Sequence, residues 1–299
     1  MSTPVSLDLH GTDLPDMKLR KNSLWRMRFQ IFCRNKIAVV GACFVLLLVI
    51  CALFAPWITP YSYEKGSVLE AFEKPSLAHL LGTDAIGRDV FSRLIYSLRN
   101  ACIVGFGAQL IELTLGLFIG AIAGYVGGRT DSILMRVVDI VYGFPSFLLS
   151  IILIILLGHN IWAVLIAVAA TSWVGMARVV RGQVLTVRQS EYIDAARAMG
   201  ANWWQILTRY VLPNSMGPVL VAAAFGIPAN MMVESGLSLV GLGLQPPTPS
   251  WGSIIADGQK GIFSYPYLLV YPSLLFAITL LSFTYLGDGL RDAFDSREA

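Results

Sequence analysis

Charge is scarce in this sequence: Asp, Glu, Lys and Arg make up 14% of its 299 residues, while 56% are hydrophobic. Ordinary soluble domains carry roughly 25% charged residues. The length would accommodate two or three soluble domains, but their cores do not need the apolar runs of about 20 residues that recur here. The composition therefore implies a polytopic membrane protein. A formal net charge of +3 is too small to suggest a nucleic-acid partner. Cysteine is equally sparse. Cys33, Cys43, Cys51 and Cys102 fall in or beside apolar segments without ligand spacing, so they read as small packing residues and not as a disulfide or metal set. His10, His79 and His159 are scattered, and no metal site is expected from them. Nothing matches a phosphate-binding loop ending in Gly-Lys-Ser or Gly-Lys-Thr. Gly241-Leu242-Gly243 lacks the third glycine and the strand–helix setting of a dinucleotide site. No Ser/His/Asp set or carboxylate pair converges on a soluble cleft. The chain is expected to be no enzyme and to bind no cofactor of its own.

What is present is a series of long apolar stretches, at about residues 37–58, 100–125, 132–157, 161–180, 213–235 and 267–286. Each is long enough to cross a hydrocarbon core of about 30 Å as a helix. Lipid offers no partner to unpaired backbone groups, and β-barrel alternation is absent, so the expected fold is all-α and polytopic, with six transmembrane helices. Pro145 is expected to kink the third span, and Gly226 and Pro228 to break the fifth. Residues 1–14 are polar and proline-bearing, with the composition of a disordered segment. Lys18, Arg20, Lys21, Arg26, Arg28, Arg34 and Lys36 then alternate with Leu24, Trp25, Phe29 and Phe32, a basic amphipathic lead-in suited to a membrane surface. This lead-in and the length of the apolar run behind it argue for a retained anchor, not a cleaved signal peptide. The organisation is thus an N-terminal segment 1–36, a transmembrane domain 37–290 and a tail 291–299.

Lys and Arg set the orientation. With the N-terminus inside, the cytoplasmic segments hold 16 of the 22 basic residues, and the outer ones hold Lys65, Lys74, Arg88, Arg93, Arg99 and Lys260. That asymmetry satisfies the positive-inside rule and places both termini in the cytoplasm. Two long loops, 59–99 and 236–266, then face outward. Pro246, Pro247 and Pro249 stiffen the second, and rigid, partly apolar loops of this kind suit a partner surface or a pore mouth.

The longest polar interval of the second half, 191–214, falls inside by the same count. It reads as two short helices around Gly200. The first opens on Glu191, which suits a helix N-terminus, and Gly200 can take the left-handed backbone that ends it. The second runs from about Asn202 to Val211, where Pro213 stops it or starts the next segment. A compact helix–Gly–helix between spans is a docking device. Within the spans, Gly116, Gly120 and Gly124 recur at spacing four, either as a subunit interface or as packing inside this chain. Three intramembrane acids also stand out, because a charge at mid-membrane costs several kcal/mol on most scales. Asp139 is expected to pair with Arg136, Glu234 to reach the outer interface, and Glu112 to face a water-filled path or be protonated within the bundle.

The polar hairpin resembles the EAA motif of ATP-binding-cassette importer permeases: E-A-A, three residues, G, nine residues, I-x-L-P. Asp194-Ala195-Ala196, Gly200 and Leu212-Pro213 fill it, with Asp194 in place of Glu and Tyr210 in place of Ile. Four further strings are similar to the second (C-type) permease subunit of dipeptide and oligopeptide importers. They are Leu81-Gly82-Thr83-Asp84 with Gly87-Arg88-Asp89; Met135-Arg136-Val137-Val138-Asp139; Gly241-Leu242-Gly243 with Pro246-Pro247-Thr248-Pro249-Ser250-Trp251-Gly252; and Gly287-Asp288-Gly289-Leu290-Arg291-Asp292-Ala293. The resemblance implies a type I importer permease in the bacterial inner membrane, in lipid, paired with a second homologous permease subunit. It also implies two cytoplasmic ATPase subunits, which would bind ATP and Mg, and an extracytoplasmic substrate-binding protein delivering peptide. On it, Glu191, Asp194, Ala195, Ala196, Arg197, Gly200, Leu212 and Pro213 would couple to the ATPase. Asp84, Gly87, Arg88, Asp89, Pro247 and Trp251 would serve the binding protein or an outer gate, and Glu112, Asp139 and Glu234 would be path or buried charges. The same architecture carrying nickel chelates, opines or glycopeptides stays open. So do a proton-coupled transporter working alone, motivated by Glu112, and a membrane scaffold without transport.

Overall fold

The long apolar runs have only their own backbone to bond to in lipid, and in the computed structural model, which describes residues 21–294, they form helix. No strand occurs among the described residues beyond one isolated bridge between Thr83 and Asp89. The helices are α1 (Lys21–Arg34), α2 (Lys36–Leu53), α3 (Ala55–Ile58), α4 (Val90–Val126), α5 (Gly128–Tyr142), α6 (Ser146–Leu157), α7 (Ile161–Arg188), α8 (Glu191–Ala198), α9 (Trp203–Gln205), α10 (Leu212–Leu239), α11 (Trp251–Lys260) and α12 (Tyr267–Phe294). Residues 1–14, with Lys18 and Arg20, lie outside the described residues. The helix α1 covers the lead-in from Lys21 to Arg34, and α12 continues to Phe294.

Five helical stretches are long and apolar enough to span: α2, α4, α7, the run Trp203–Leu239, and α12; α5 and α6 together make a sixth, broken one. The break is sharper than a kink, a bend of 81° at Gly143–Pro145. Pro145 ends up as the residue preceding α6, its ring excluding the continuation of α5. Two spans start earlier than hydropathy suggests. Asp89 accepts the Ser92 N–H at 2.7 Å, so α4 begins at Val90 and runs 37 residues, about 55 Å, well beyond the hydrocarbon thickness. Pro213 does not interrupt the fifth span. Ile206–Val211 is a π-helical turn, and the Leu212 N–H bonds back five residues to Leu207. This wider register absorbs the missing N–H of Pro213, and the helix runs unbroken from Trp203 to Leu239. It also passes through Pro218 and Pro228. Gly226 serves a different purpose from a break: a side chain there would collide with the Gln109 amide of α4.

The helix α7 is the centre of the bundle, with 61% of its apolar window buried against 28–33% for the other spans. Gly116, Gly120 and Gly124 face Met176, Val180 and Val184 in the same order, so α4 and α7 run parallel and nearly touch. The small-residue stripe is therefore packing inside this chain. In lipid that contact rests on van der Waals fit, since hydrocarbon tails are as apolar as the side chains. Opposite pairs run antiparallel: Gly105 and Gln109 of α4 against Met231 and Gly226 of α10, and Gly41 of α2 against Ser282 and Tyr285 of α12.

Candidate functional site

Two constructions at opposite ends of the bundle stand out. At the end where α7 stops and the Trp203–Leu239 helix begins, residues 190–211 form the hairpin. Ile193 and Ala196, one turn apart on α8, are buried, and Ile193 packs inward among Val184, Ile206, Leu207 and Val211. The helix ends on Gly200 at φ +85°, with the Ala201 N–H on the Ala196 carbonyl and the Gly200 N–H on that of Arg197. These two bonds make a Schellman cap, which needs a left-handed residue at the position of Gly200. Asn202 and Gln205 then close a capping box, each side chain bonding the other's backbone N–H at 2.8 and 3.0 Å.

Glu191, Asp194, Ala195, Arg197 and Gly200 of the hairpin are exposed. Ala196 is the exception: it is buried against its own chain, so close approach on the free face falls to Ala195. Leu212 is half-buried and Pro213 exposed at the start of α10. Arg197 bonds Asp194 at 2.7 Å on the surface, a pair of little energetic weight. The sequence reading passed over what dominates this face: Met199 is 79% exposed, Trp203 61% and Trp204 58%, with Tyr192 beside them. Large aromatics held in water are what a partner's groove can desolvate. A tryptophan pair inside a polar interval was the available signal.

Two bridges fix this end. Arg178 of α7 donates to Asp139 at 2.7 Å while its guanidinium lies 3.9 Å over Tyr142, so Asp139 does not pair with Arg136 as expected. Arg181 takes Asp131 with two bonds of 2.6 Å, a fork-on-fork pair that sequence spacing could not reveal. Both bridges tie α5 to α7.

At the other end a cap forms from the segment before α4, from α11 and from the start of α12. Asp84 is its hub. Its Oδ1 accepts the amides of Ile86 and Arg88 at 3.0 and 2.9 Å, and its Oδ2 accepts Arg88 Nε at 2.7 Å and Arg93 Nη1 at 2.5 Å. Asp89 caps α4 and accepts from His79 Nδ1 at 2.9 Å. Gly87 has φ +76° and lies against the Ser67 backbone with no room for a side chain. Trp251 is buried on Phe276, whereas Pro247, in a cis bond after Pro246, is exposed. Asp84, Arg88, Asp89 and Trp251 therefore bind the cap together; with Arg93 the charges of this string are four, and they are buried by pairing. Burial alone would raise the Asp84 carboxyl, but the Arg93 guanidinium outweighs it, helped by the Arg88 N–H and guanidinium, and holds the group below its ordinary value. A depressed value stabilises the fold above the ordinary carboxylate pKa of about 4, and that stability is lost as pH falls through the lowered value. Amide protection of residues 84–93, corrected for the intrinsic exchange rate at each pH, should thus stay flat from pH 7 to about 4 and fall only below it.

Between the two ends, Glu112 of α4 is 4% exposed beside Asn230 of α10. Gln109, Glu112 and Asn230 are all buried polar groups inside the chain. Glu234 does not reach an interface: it is fully buried, accepting from Ser238 at 2.9 Å and Ser235 at 3.4 Å. Ser238 in turn accepts the Leu244 N–H at 3.1 Å, so Glu234 anchors the turn after α10.

A bundle of this composition, with an exposed aromatic hairpin at one end and a charged cap at the other, is a polytopic membrane protein. Residues 116–299 match the family model for the binding-protein-dependent transport system inner membrane component, and 23–75 match the N-terminal TM domain of oligopeptide transport permease C. The chain belongs to the binding-protein-dependent transport system inner membrane component family. It is 38% identical over 285 residues to the oligopeptide transport system permease protein OppC of Bacillus subtilis, covering 95% of this chain and 93% of that one. It is 41% identical over 265 residues to the dipeptide transport system permease protein DppC of the same organism, 88% and 83% of the two chains. The glutathione transport system permease protein GsiD of Pectobacterium atrosepticum is 39% identical over 274 residues, 91% of each. Among solved structures, the inward-facing MetNI methionine ABC transporter shares the fold at TM-score 0.58 and 19% identity, over 68% of this chain and 97% of that one.

Proposed function

We propose that this chain is one of two paired permease subunits of an ATP-driven importer of dipeptides or oligopeptides. An extracytoplasmic binding protein delivers cargo to the cap end, and the hairpin seats in a groove on one of two cytoplasmic ATPases. The observation that carries this reading is the hairpin's free face, where Met199, Trp203 and Trp204 protrude from a rigidly capped turn. Helix-in-groove docking needs such apolar anchors on a fixed backbone. The peptide cargo rests on the oligopeptide, dipeptide and glutathione systems named for its relatives. The orientation rests on the 16 of 22 basic residues on the hairpin side and at the termini. ATP and Mg belong to the partner ATPases, as this chain has no phosphate loop. In this scheme closure of the ATPases around ATP draws the two hairpins together, and rigid-body movement of the spans opens the path outward. The permease couples and does not hydrolyse.

Gly200→Val tests it. Forcing a β-branched residue to φ +85° costs roughly 1–2 kcal/mol and unwinds the Schellman cap. ATP-driven uptake of a dipeptide should fall at least about tenfold with unchanged membrane levels of the subunit, a change corresponding to about 1.4 kcal/mol. Normal uptake by this variant would sink the coupling assignment.

A further inference from the structure

We propose that the cap contains a receiving pocket for a single carboxylate group on a short apolar stem. A cavity of about 230 Å³ opens between the segment before α4 and α11. Ile86, Ile254 and Leu268 line it together with the cations Arg88, Arg93 and Lys260. Sites for whole small-molecule ligands run to about 300–1,000 Å³, so this one has room for a carboxylate and a few carbons and not for a complete peptide.

The charges around it do not balance. Three cations face two carboxylates, Asp84 and Asp257. Every acceptor position of Asp84 in this direction is taken, by two backbone amides and by Arg88 Nε and Arg93 Nη1. Asp257 is a looser counterion. It stands 3.5 Å from Arg93 Nη2 and 3.8 Å from Arg88 Nη2, beyond hydrogen-bonding length, and 3.2 Å from the exposed Lys260. Arg93 is 4% exposed, yet its Nε has no acceptor. The nearby Asp89 lies outside the lining, engaged by His79 and by the start of α4. A buried guanidinium with an unused N–H and an incomplete counterion calls for an anion. The planar fork of arginine matches a carboxylate, and an excess of one positive charge matches a monoanion better than a phosphate dianion. The ligand would complete the charge balance beside Asp257, which also repels it, and bridge the first loop to α11 there. Its source is either the C-terminus of a peptide or an acidic side chain of a delivering protein. Only that choice rests on the outward placement of the cap; the pocket itself does not.

The full chain in lipid nanodiscs, titrated with butyrate and with butyramide, tests the proposal independently of transport. Butyrate should raise the unfolding temperature saturably and butyramide should not. Asp257→Asn removes this repulsion and should tighten butyrate binding about three- to tenfold, whereas Lys260→Gln should weaken it about threefold, in keeping with an exposed charge. Loss of a merely structural contact at Asp257 could not tighten binding. Ala-Ala compared with N-acetylglutamate α-amide then distinguishes the two sources, a preference for either supporting the pocket. Equal effects of butyrate and butyramide, or Asp257→Asn and wild type indistinguishable, would overturn it.

Discussion

Replacing Asp84 with Ala is expected to destabilise the chain by about 3–5 kcal/mol, the usual cost of leaving buried cations without their partner. The residue is 6% exposed and serves two guanidiniums and two amides at once. Removing it strands Arg88 and Arg93, which are 9% and 4% exposed, and leaves the turn through Gly87 without its hub. Asp84→Asn should recover part of the loss, because an amide oxygen can still accept one guanidinium bond. It cannot balance the charge. Unfolding of the detergent-solubilised protein, followed by tryptophan fluorescence, reads the difference. A change below about 1 kcal/mol for the alanine variant would mean that the cap is held elsewhere.

The second large effect is expected at Gly120. A Cβ built there would stand 2.5 Å from the Ala177 carbonyl and 2.8 Å from Val180 Cβ, and the first of these is backbone and cannot swing away. Gly120→Ala should cost about 1–3 kcal/mol as overpacking, and Gly120→Leu should prevent α4 from seating on α7. At Gly116 a Cβ would stand 2.5 Å from Met176 Cγ, 2.7 Å from its Cβ and 3.0 Å from its backbone carbonyl carbon, so Gly116→Ala should cost about as much as Gly120→Ala. Gly182 of α7 has nothing within 4 Å, and Gly182→Ala should be neutral or stabilising by up to about 1 kcal/mol from helix propensity alone. Folded yield and thermal unfolding of the four variants give the order. A Gly120→Leu protein that unfolds like wild type would refute the close contact.

Much of this architecture was legible in the residues because lipid restricts the choice so strongly. A long apolar run has helix as its one solution, and Gly200 between two helix-forming runs had one conformational use. The positions that misled were those where a local rule met a tertiary partner. Pro213 and Pro228 read as breaks, but a π-turn and the lipid environment keep the helix whole. Asp139 had a plausible partner three residues away, and Arg178, from a helix 39 residues on, took it. The acids and bases of 84–93 read as an exposed, partner-facing string, because one sequence shows charges but not that Asp84 gathers Arg88 and Arg93 inside a turn. Trp203 and Trp204 were legible as residues but not as protrusions, since hydropathy alone sends tryptophan inward.

The unbroken helix Trp203–Leu239 gives the molecule a lever. Its 37 residues extend about 55 Å, with two tryptophans near one end and the buried Glu234 near the other. A tilt of about 5° at the tryptophan end carries the far end through about 5 Å on that length. A proline-broken helix would dissipate such a displacement in its hinges. Here the π-turn lies within the hairpin and the remainder is one continuous helix, so force applied to the aromatic face would reach the Glu234–Ser238 anchor and the turn after α10.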